Sequence, residues 1–492
     1  MTSKAIIKRM ATGIPGFDEV LGGGLPEFSF NLIAGRPGCG KTTLAHQIMF
    51  ALATPERPAI YFTVLGEPPI KMLRYQQQFA FFDAAAVNGR VRFVSLADDA
   101  ATGELDRVLQ RIVAEVAAHR PGLIFVDSFR SVVLASQHAG RPQTSLQLFV
   151  QQLGLLLTSW QATTFLIGEY FDETDANPVF TVADGLVWLH QSVQRNSMVR
   201  KLEVMKMRGQ ASLPGLHSFR IDGTGIRVFA PAQRVGADGG AAAAAGDRAR
   251  TGVAELDAML GGGLPRGYSL LVAGPSGSGK SVLAAAFLSE GARNGETGVV
   301  AAFEQHPNAA RSPVLSALLE QGRVGLVDQR EPDLSIDEIV LLILTEVRRL
   351  GATRVVLDSL SGFELALAPT FRADFRESLL GLVTALGRAG VTLLMTSELE
   401  DRYTDLRFSP YGAAFLTDAI IVQRYIEVDS RLQRVMAVVK VRASHHSDEL
   451  RLYHIDADGL HVGPPLLDHE GLLGGRPTRK RAGLPGSPAT GG

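Results

Sequence analysis

Two stretches, Gly35-Arg36-Pro37-Gly38-Cys39-Gly40-Lys41-Thr42 and Gly274 to Ser281 (GPSGSGKS), share the pattern G-x-x-x-x-G-K-[S/T]. Glycines in such a run let backbone N–H groups close around phosphate oxygens, and a helix opening at the lysine adds its positive end. Lys41 and Lys280 then neutralise the β- and γ-phosphates of ATP, and Thr42 and Ser281 hold Mg²⁺. The expected nucleotide contacts are Gly35, Gly38, Cys39, Gly40, Lys41, Thr42 and Thr43 in the first loop. In the second they are Gly274, Ser276, Gly277, Ser278, Gly279, Lys280, Ser281 and Val282. Asp127 and Asp358, each closing an apolar run, complete the two metal sets. Cys39 sits near a helix N-terminus, a place expected to lower its thiol pKa. A redox switch is conceivable there, but a small tolerated loop residue is the preferred reading.

Hydrolysis also needs a carboxylate that polarises water. In the second half the strand after the loop's helix reads TGVVAAFEQHP and places Glu304 twenty-four residues beyond Lys280. The same step from Lys41 lands on Leu65, in YFTVLGEPP, and the first acid there is Glu67. Pro68 and Pro307 keep the register, so Glu67 answers His306. Two extended residues add about 6 to 7 Å, beyond the hydrogen-bond reach a base requires. Glu304 is therefore the expected base, Glu67 a displaced candidate, and the first half is expected to hold ATP better than it cleaves it.

These residues need strands that end at the loops and helices that start there. FSFNLIAG and YSLLVAG read as strands, KTTLAHQIMFALA and KSVLAAAFLSEGA as helices, and LIFVDS and RVVLDS as strands covered on both faces. The alternation predicts an α/β fold: two tandem P-loop domains, each a mainly parallel sheet flanked by helices. TGIPGFDEVLGGGLP at Thr12–Pro26 recurs as TGVAELDAMLGGGLP at Thr251–Pro265, an offset of 239 residues that also relates the two loops. The expected organisation is a first domain over 1–235, a linker over 236–250, a second domain over 251–466 and a disordered basic tail over 467–492. The formal net charge of -1 argues against a nucleic-acid or acidic-membrane partner. No apolar run reaches the roughly 18 residues that span a bilayer. One cysteine, no signal-like segment and globular composition lead to the expectation of a cytoplasmic protein.

The paired signatures, TG-x-x-x-[FL]D…LGGGLP with a P-loop behind each, resemble the KaiC family of circadian-clock ATPases and its relatives within the RecA superfamily. The likeness spans roughly Ile7 to Val462. It implies two RecA-like tiers in a homo-hexameric ring, with ATP between subunits. It also implies that Lys206 and Arg208 (KMR) and Lys440 and Arg442 (KVR) reach the neighbouring subunit's phosphates. Family members carry adjacent glutamates after the P-loop helix; here Glu304-Gln305 keeps one, and Leu65-Gly66 keeps neither in register. The family's phosphorylated Ser-Thr pair precedes a T-D-x-I-I segment, present as Thr417 to Ile421, but Ala414-Phe415 stands in its place and offers no hydroxyl.

The leading functional expectation is an ATP-hydrolysing ring whose nucleotide state controls an unknown signalling partner. RPTRKR at Arg476–Arg481 is a candidate docking segment for that partner, although a solvated end is the preferred reading. A serine/threonine autokinase ranks below it because of Ala414-Phe415. A DNA-stimulated recombination accessory ranks lower still, since its candidate loops, QHAGRPQTS and APTFRADFRES, are only lightly basic.

Overall fold

The computed structural model describes residues 7–64, 69–101, 104–138, 143–171, 178–194, 197–231, 247–303, 312–328, 333–372, 375–399, 415–428, 430–466, 469–470 and 478–479. Leu65, Gly66, Glu67, Glu304 and Ala414 lie outside the described residues. The chain splits into two compact units, Met1–Pro231 and Ala232–Gly492.

In the first unit the strands are β1 (Phe30–Gly35), β2 (Ala59–Thr63), β3 (Val91–Ser95), β4 (Leu123–Asp127), β5 (Thr163–Glu169), β6 (Gly185–Gln194), β7 (Ser197–Met207), β8 (Leu216–Asp222) and β9 (Gly225–Val228). The P-loop helix α1 (Lys41–Leu52) follows β1. These strands form one sheet in the order β9-β8-β7-β6-β1-β5-β4-β2-β3. From β3 to β6 neighbours run parallel; from β6 to β9 they run antiparallel. Continuous apolar runs suit strands with packing on both faces. Tyr61, Phe125 and Phe165 pack on the α1 face, and Ile60, Phe62, Ile124 and Val126 on the other. Phe125 and Phe165 stack with centroids 4.7 Å apart.

The second unit repeats the plan with β10 (Ser269–Gly274), β11 (Gly298–Ala302), β12 (Val324–Val327), β13 (Arg354–Asp358), β14 (Thr392–Glu398), β15 (Ala419–Val428), β16 (Arg431–Val441), β17 (Arg451–Asp456) and β18 (Gly459–Pro465). Its P-loop helix is α2 (Lys280–Arg293). The order is β12-β11-β13-β14-β10-β15-β16-β17-β18, the same path strand for strand. Helix α3 (Ile336–Leu350) shows how locally the chain sets its boundaries. Ser335 and Glu338 close a capping box at its start, and Gly351 ends it at φ 62°. Its apolar residues Ile339, Val340, Ile343, Leu344 and Val347 recur at helical spacing and are buried. The expected α/β architecture of two RecA-like domains is what the chain adopts.

Two boundaries differ from expectation. Arg248–Ala249, placed in the linker by composition, pairs with Leu264–Pro265, and Ala249 is fully buried. It answers Arg9–Met10, which pairs with Leu25–Pro26 in the first unit. In the tail, expected to be disordered, His469–Glu470 pairs antiparallel with Thr478–Arg479. Most of RPTRKR lies outside the described residues.

Candidate functional site: two P-loops beneath a strand-end aspartate

Each central strand runs into its P-loop and turns into a helix at the lysine. The turn needs a left-handed residue at the helix N-cap, and Gly40 (φ 104°) and Gly279 (φ 95°) supply it. Space demands glycine as well. A Cβ on Gly40 would stand 2.7 Å from Ile221 Cδ1, and one on Gly279 would collide with Ile455. Both contacts come from the edge hairpin, β8–β9 or β17–β18, which braces the loop from the side. Lys41 Nζ donates to Arg36 O at 2.8 Å; Lys280 Nζ donates to Gly274 O and Pro275 O, each at 2.8 Å. The loops therefore hold their own lysines folded inward over the cradle.

Around the strand-end aspartate the units diverge. Thr42 Oγ1 donates to Asp127 Oδ2 at 2.8 Å, so the first pair expected to hold Mg²⁺ is in direct contact. Tyr61, on β2, donates to the same oxygen at 2.7 Å. Burial pushes the Asp127 carboxyl above the usual carboxylate range; hydrogen bonds from Tyr61 and Thr42 and the Lys41 charge offset this only in part. In the second unit Asp358 accepts a short hydrogen bond from Thr396 Oγ1, on β14, and no hydrogen bond joins it to Ser281 among the described residues. Strand pairing shows the exchange. Val300 stands where Tyr61 stands, and Ile167 where Thr396 stands. Each sheet offers its aspartate one hydroxyl, from different strands.

A cavity of about 350 Å³ opens at the first loop, lined by Gly38, Gly40, Lys41, Thr42, Thr43 and Asp127. Thr63, Ser128 and Glu169 line it too, and motif reading did not select them. Glu169 pairs with Gly35 across β5–β1 as Glu398 pairs with Gly274 across β14–β10, so the repeat carried a signal for it. Cys39 and Ser278, expected as nucleotide contacts, turn their side chains into the core. Ser278 Oγ donates to Gln423 Oε1 at 3.0 Å; Cys39 is buried, its Sγ 3.9 Å from Lys41 Nζ. The expectation of a lowered thiol pKa is corrected: burial raises it, and Lys41 only partly opposes. Any contact of Cys39 or Ser278 with phosphate therefore falls to the backbone.

Lys206 and Arg208 stand at the far end of β7 from their own P-loop. Lys206 pairs with Leu186, beside Leu32, whereas the loop leaves from Gly35 beside Leu189. Lys206 Nζ donates to Thr181 O at 3.1 Å, and Arg208 pairs with Asp184 at 3.0 Å. Lys440 and Arg442 copy this with Thr417 O at 2.6 Å and Asp418 at 3.1 Å. Within each unit, then, the basic pair and the P-loop are not brought together. Of Ala414-Phe415, only Phe415 is described; it is half exposed, with Arg376 Cζ 4.0 Å from its ring centroid.

A mainly parallel sheet whose central strand feeds a P-loop, with an acidic strand end beside it, defines a RecA-like P-loop ATPase, and the chain carries two. It belongs to the KaiC ATPase family, whose model matches residues 10–233 and 249–466. It is similar to the circadian clock oscillator protein KaiC of Rippkaea orientalis, 26% identical over 487 residues that cover 96% of this chain and 92% of that protein. It is equally similar to KaiC 1 of Synechocystis sp., at 26% over 487 residues with the same coverage. The circadian clock protein KaiC3 of Synechocystis sp. is 26% identical over 492 residues, covering 96% and 95%. The protein is thus a nucleotide-binding ATPase. Among the described residues no helix is long and apolar enough to cross a membrane.

Proposed function

We propose that the protein is an ATP-driven ring switch in which the second unit hydrolyses ATP with Glu304 as base and the first chiefly holds it. One observation supports this division. Thr63 pairs with Asp127, and Ala302 pairs with Asp358, so the two strands share a register at the active end. Two residues further along the sequence stand Leu65 and Glu304. One is apolar and the other can polarise water.

The donor sets at each loop are hydroxyl and carboxylate oxygens, which suit Mg²⁺, and among the described residues the Asp127 carboxylate accepts from the neutral hydroxyls of Thr42 and Tyr61. Thr42 with Asp127 and Ser281 with Asp358 would hold the ion, which neutralises phosphate charge when bound. Lys41 and Lys280 pair with the β- and γ-phosphates. Lys206, Arg208, Lys440 and Arg442 stand at the strand end away from their own loops, which favours a role at the neighbour's nucleotide in a homo-hexamer. Nucleotide state would then set the ring's fitness for a signalling protein, docked in part on the C-terminal tail. The names of the relatives, clock oscillator proteins, favour that role over a DNA accessory. Autophosphorylation at Ala414-Phe415 has no hydroxyl to accept phosphate.

The test is ATP turnover of Lys41→Ala and Lys280→Ala separately, with mass measured with and without ATP. We expect Lys280→Ala to abolish most turnover and Lys41→Ala to weaken assembly in ATP. The reverse pattern would overturn the division.

A further inference from the structure

The hairpin β17–β18 that braces the second P-loop has another face. Toward the loop, the Tyr453 hydroxyl donates to Ser278 O at 2.6 Å and Ile455 fills the space beside Gly279. By the two-residue period, His454 and Asp456 stand on the opposite face, joined by His461, which pairs directly with His454 across the hairpin. All three are exposed. The imidazoles stack with centroids 5.0 Å apart and planes 21° from parallel.

Their donor atoms already converge. His461 Nε2 lies 3.1 Å from Asp456 Oδ1 and His454 Nε2 lies 3.5 Å from Asp456 Oδ2; one donor atom from each residue falls within 4.8 Å of the others. Donors on a tetrahedral ion with bonds of about 2.0–2.1 Å stand roughly 3.3 Å apart. The Asp458 N–H donates to Asp456 Oδ1 at 2.9 Å and fixes the carboxylate from behind, as outer partners of metal ligands do. Two imidazoles with one carboxylate suit a borderline first-row dication and not Mg²⁺ or Ca²⁺.

The first unit provides a built-in contrast. Its hairpin β8–β9 has the same register, with Arg220 opposite Arg227 and Asp222 paired to Gly225. Guanidinium groups stay protonated and cannot ligate a cation. The fold tolerates either pair on this face, but only the histidine pair offers lone pairs to a metal.

We propose that His454, Asp456 and His461 form a binding site for a divalent transition ion of the zinc type, with water completing the coordination. The site rests on two paired strands, and their reverse face touches the P-loop.

Full-length, nucleotide-free protein stripped of metal is dialysed against Zn²⁺ and, separately, titrated with Co²⁺ while its visible absorption is followed. The comparison variant is His454→Arg/His461→Arg, which installs the pair that the first hairpin already folds with. His454→Asn/His461→Asn serves as a second, uncharged variant. We expect the parent to retain one more equivalent of Zn²⁺ than either variant, with tetrahedral Co²⁺ bands that the variants lack. A single His461→Ala change should weaken Zn²⁺ binding by about tenfold or more, and excess Mg²⁺ should not displace Zn²⁺. Equal stoichiometry and equal spectra in parent and variants would overturn the proposal, as would displacement by Mg²⁺.

Discussion

The two units carry the same sheet, strand for strand, yet support their P-loops with different side chains. Backbone features recur: the left-handed glycine at the helix N-cap, the lysine folded onto loop carbonyls, and the hairpin pressed against the loop. The side chains around the strand-end aspartate do not. The aspartate takes its sheet hydroxyl from Tyr61 in one unit and Thr396 in the other. His46 on α1 becomes Ala285 on α2, and Leu123 at the start of β4 becomes Arg354 at the start of β13. The difference teaches that a phosphate cradle built from backbone constrains glycines and one lysine, and leaves the side chains around it free to diverge.

The largest expected effect tests the asymmetry itself. Glu304→Gln should lower ATP turnover about 100-fold or more, the scale of losing a general base. Steady-state phosphate release by the full chain checks this. Turnover that persists unchanged would move the base elsewhere, and Glu169→Gln would then be the next variant, because Glu169 lines the first cavity beside Asp127.

Next comes the strand base. Arg354 is almost fully buried, with Nη1 donating to Arg250 O at 2.7 Å and Phe287 O at 2.8 Å, and Nε donating to Glu296 Oε2 at 2.6 Å. Arg354→Leu, which copies Leu123, should destabilise the second unit by about 3 kcal/mol, because it removes one of the two arginines on Glu296 and the donor to two carbonyls. Denaturant unfolding of the full chain would show one transition moving and the other staying. If both stay, the buried pair contributes little.

His46 separates the units by pH. It is fully buried against Tyr61, with ring centroids 4.5 Å apart, and Gln76 lies near without closing a hydrogen bond to either ring nitrogen. Burial lowers its pKa from 6.5 to about 4. The unfolded chain therefore binds this proton more readily than the folded one. Its contribution is fully present above pH 6.5 and is lost as pH falls through about 4, up to roughly 3 kcal/mol. Calorimetry between these limits should show the first unit's transition falling faster than the second's, where Ala285 has nothing to titrate. His46→Leu should flatten that fall; an unchanged slope would exclude His46 as its source.

The smallest effect concerns the aspartate's hydroxyl. Tyr61→Phe should cost the first unit about 1 kcal/mol, one net hydrogen bond, while Thr396→Val costs the second a similar amount. Thermal unfolding of each variant distinguishes the two, and a Tyr61→Phe variant as stable as the parent would show that Thr42 alone satisfies Asp127.

The sequence made legible whatever is local and repeated. The P-loops, the strands before them and the helices after them are written in consecutive residues, and an offset of 239 relates the two copies. Partnerships that depend on strand order were not legible. Tyr61 reaches Asp127 because β2 lies beside β4, and Thr396 reaches Asp358 because β14 lies beside β13. Cys39 departs from its sequence-based expectation for a related reason. A helix N-terminus favours a thiolate, but the side chain turns inward, and desolvation outweighs the helix. His454 and His461 meet only once the hairpin register is fixed.

The hydroxyl exchange between strands also bears on how the gene can change. Two homologous halves in one reading frame invite recombination that copies a segment of one over the other. Copying β11 over β2 would put Ala beside Asp127 and Val at position 61, with no hydroxyl from the sheet. Copying β2 over β11 would crowd Tyr and Thr around Asp358. Either transfer breaks a matched pair held on separate strands, at a cost of about one hydrogen bond.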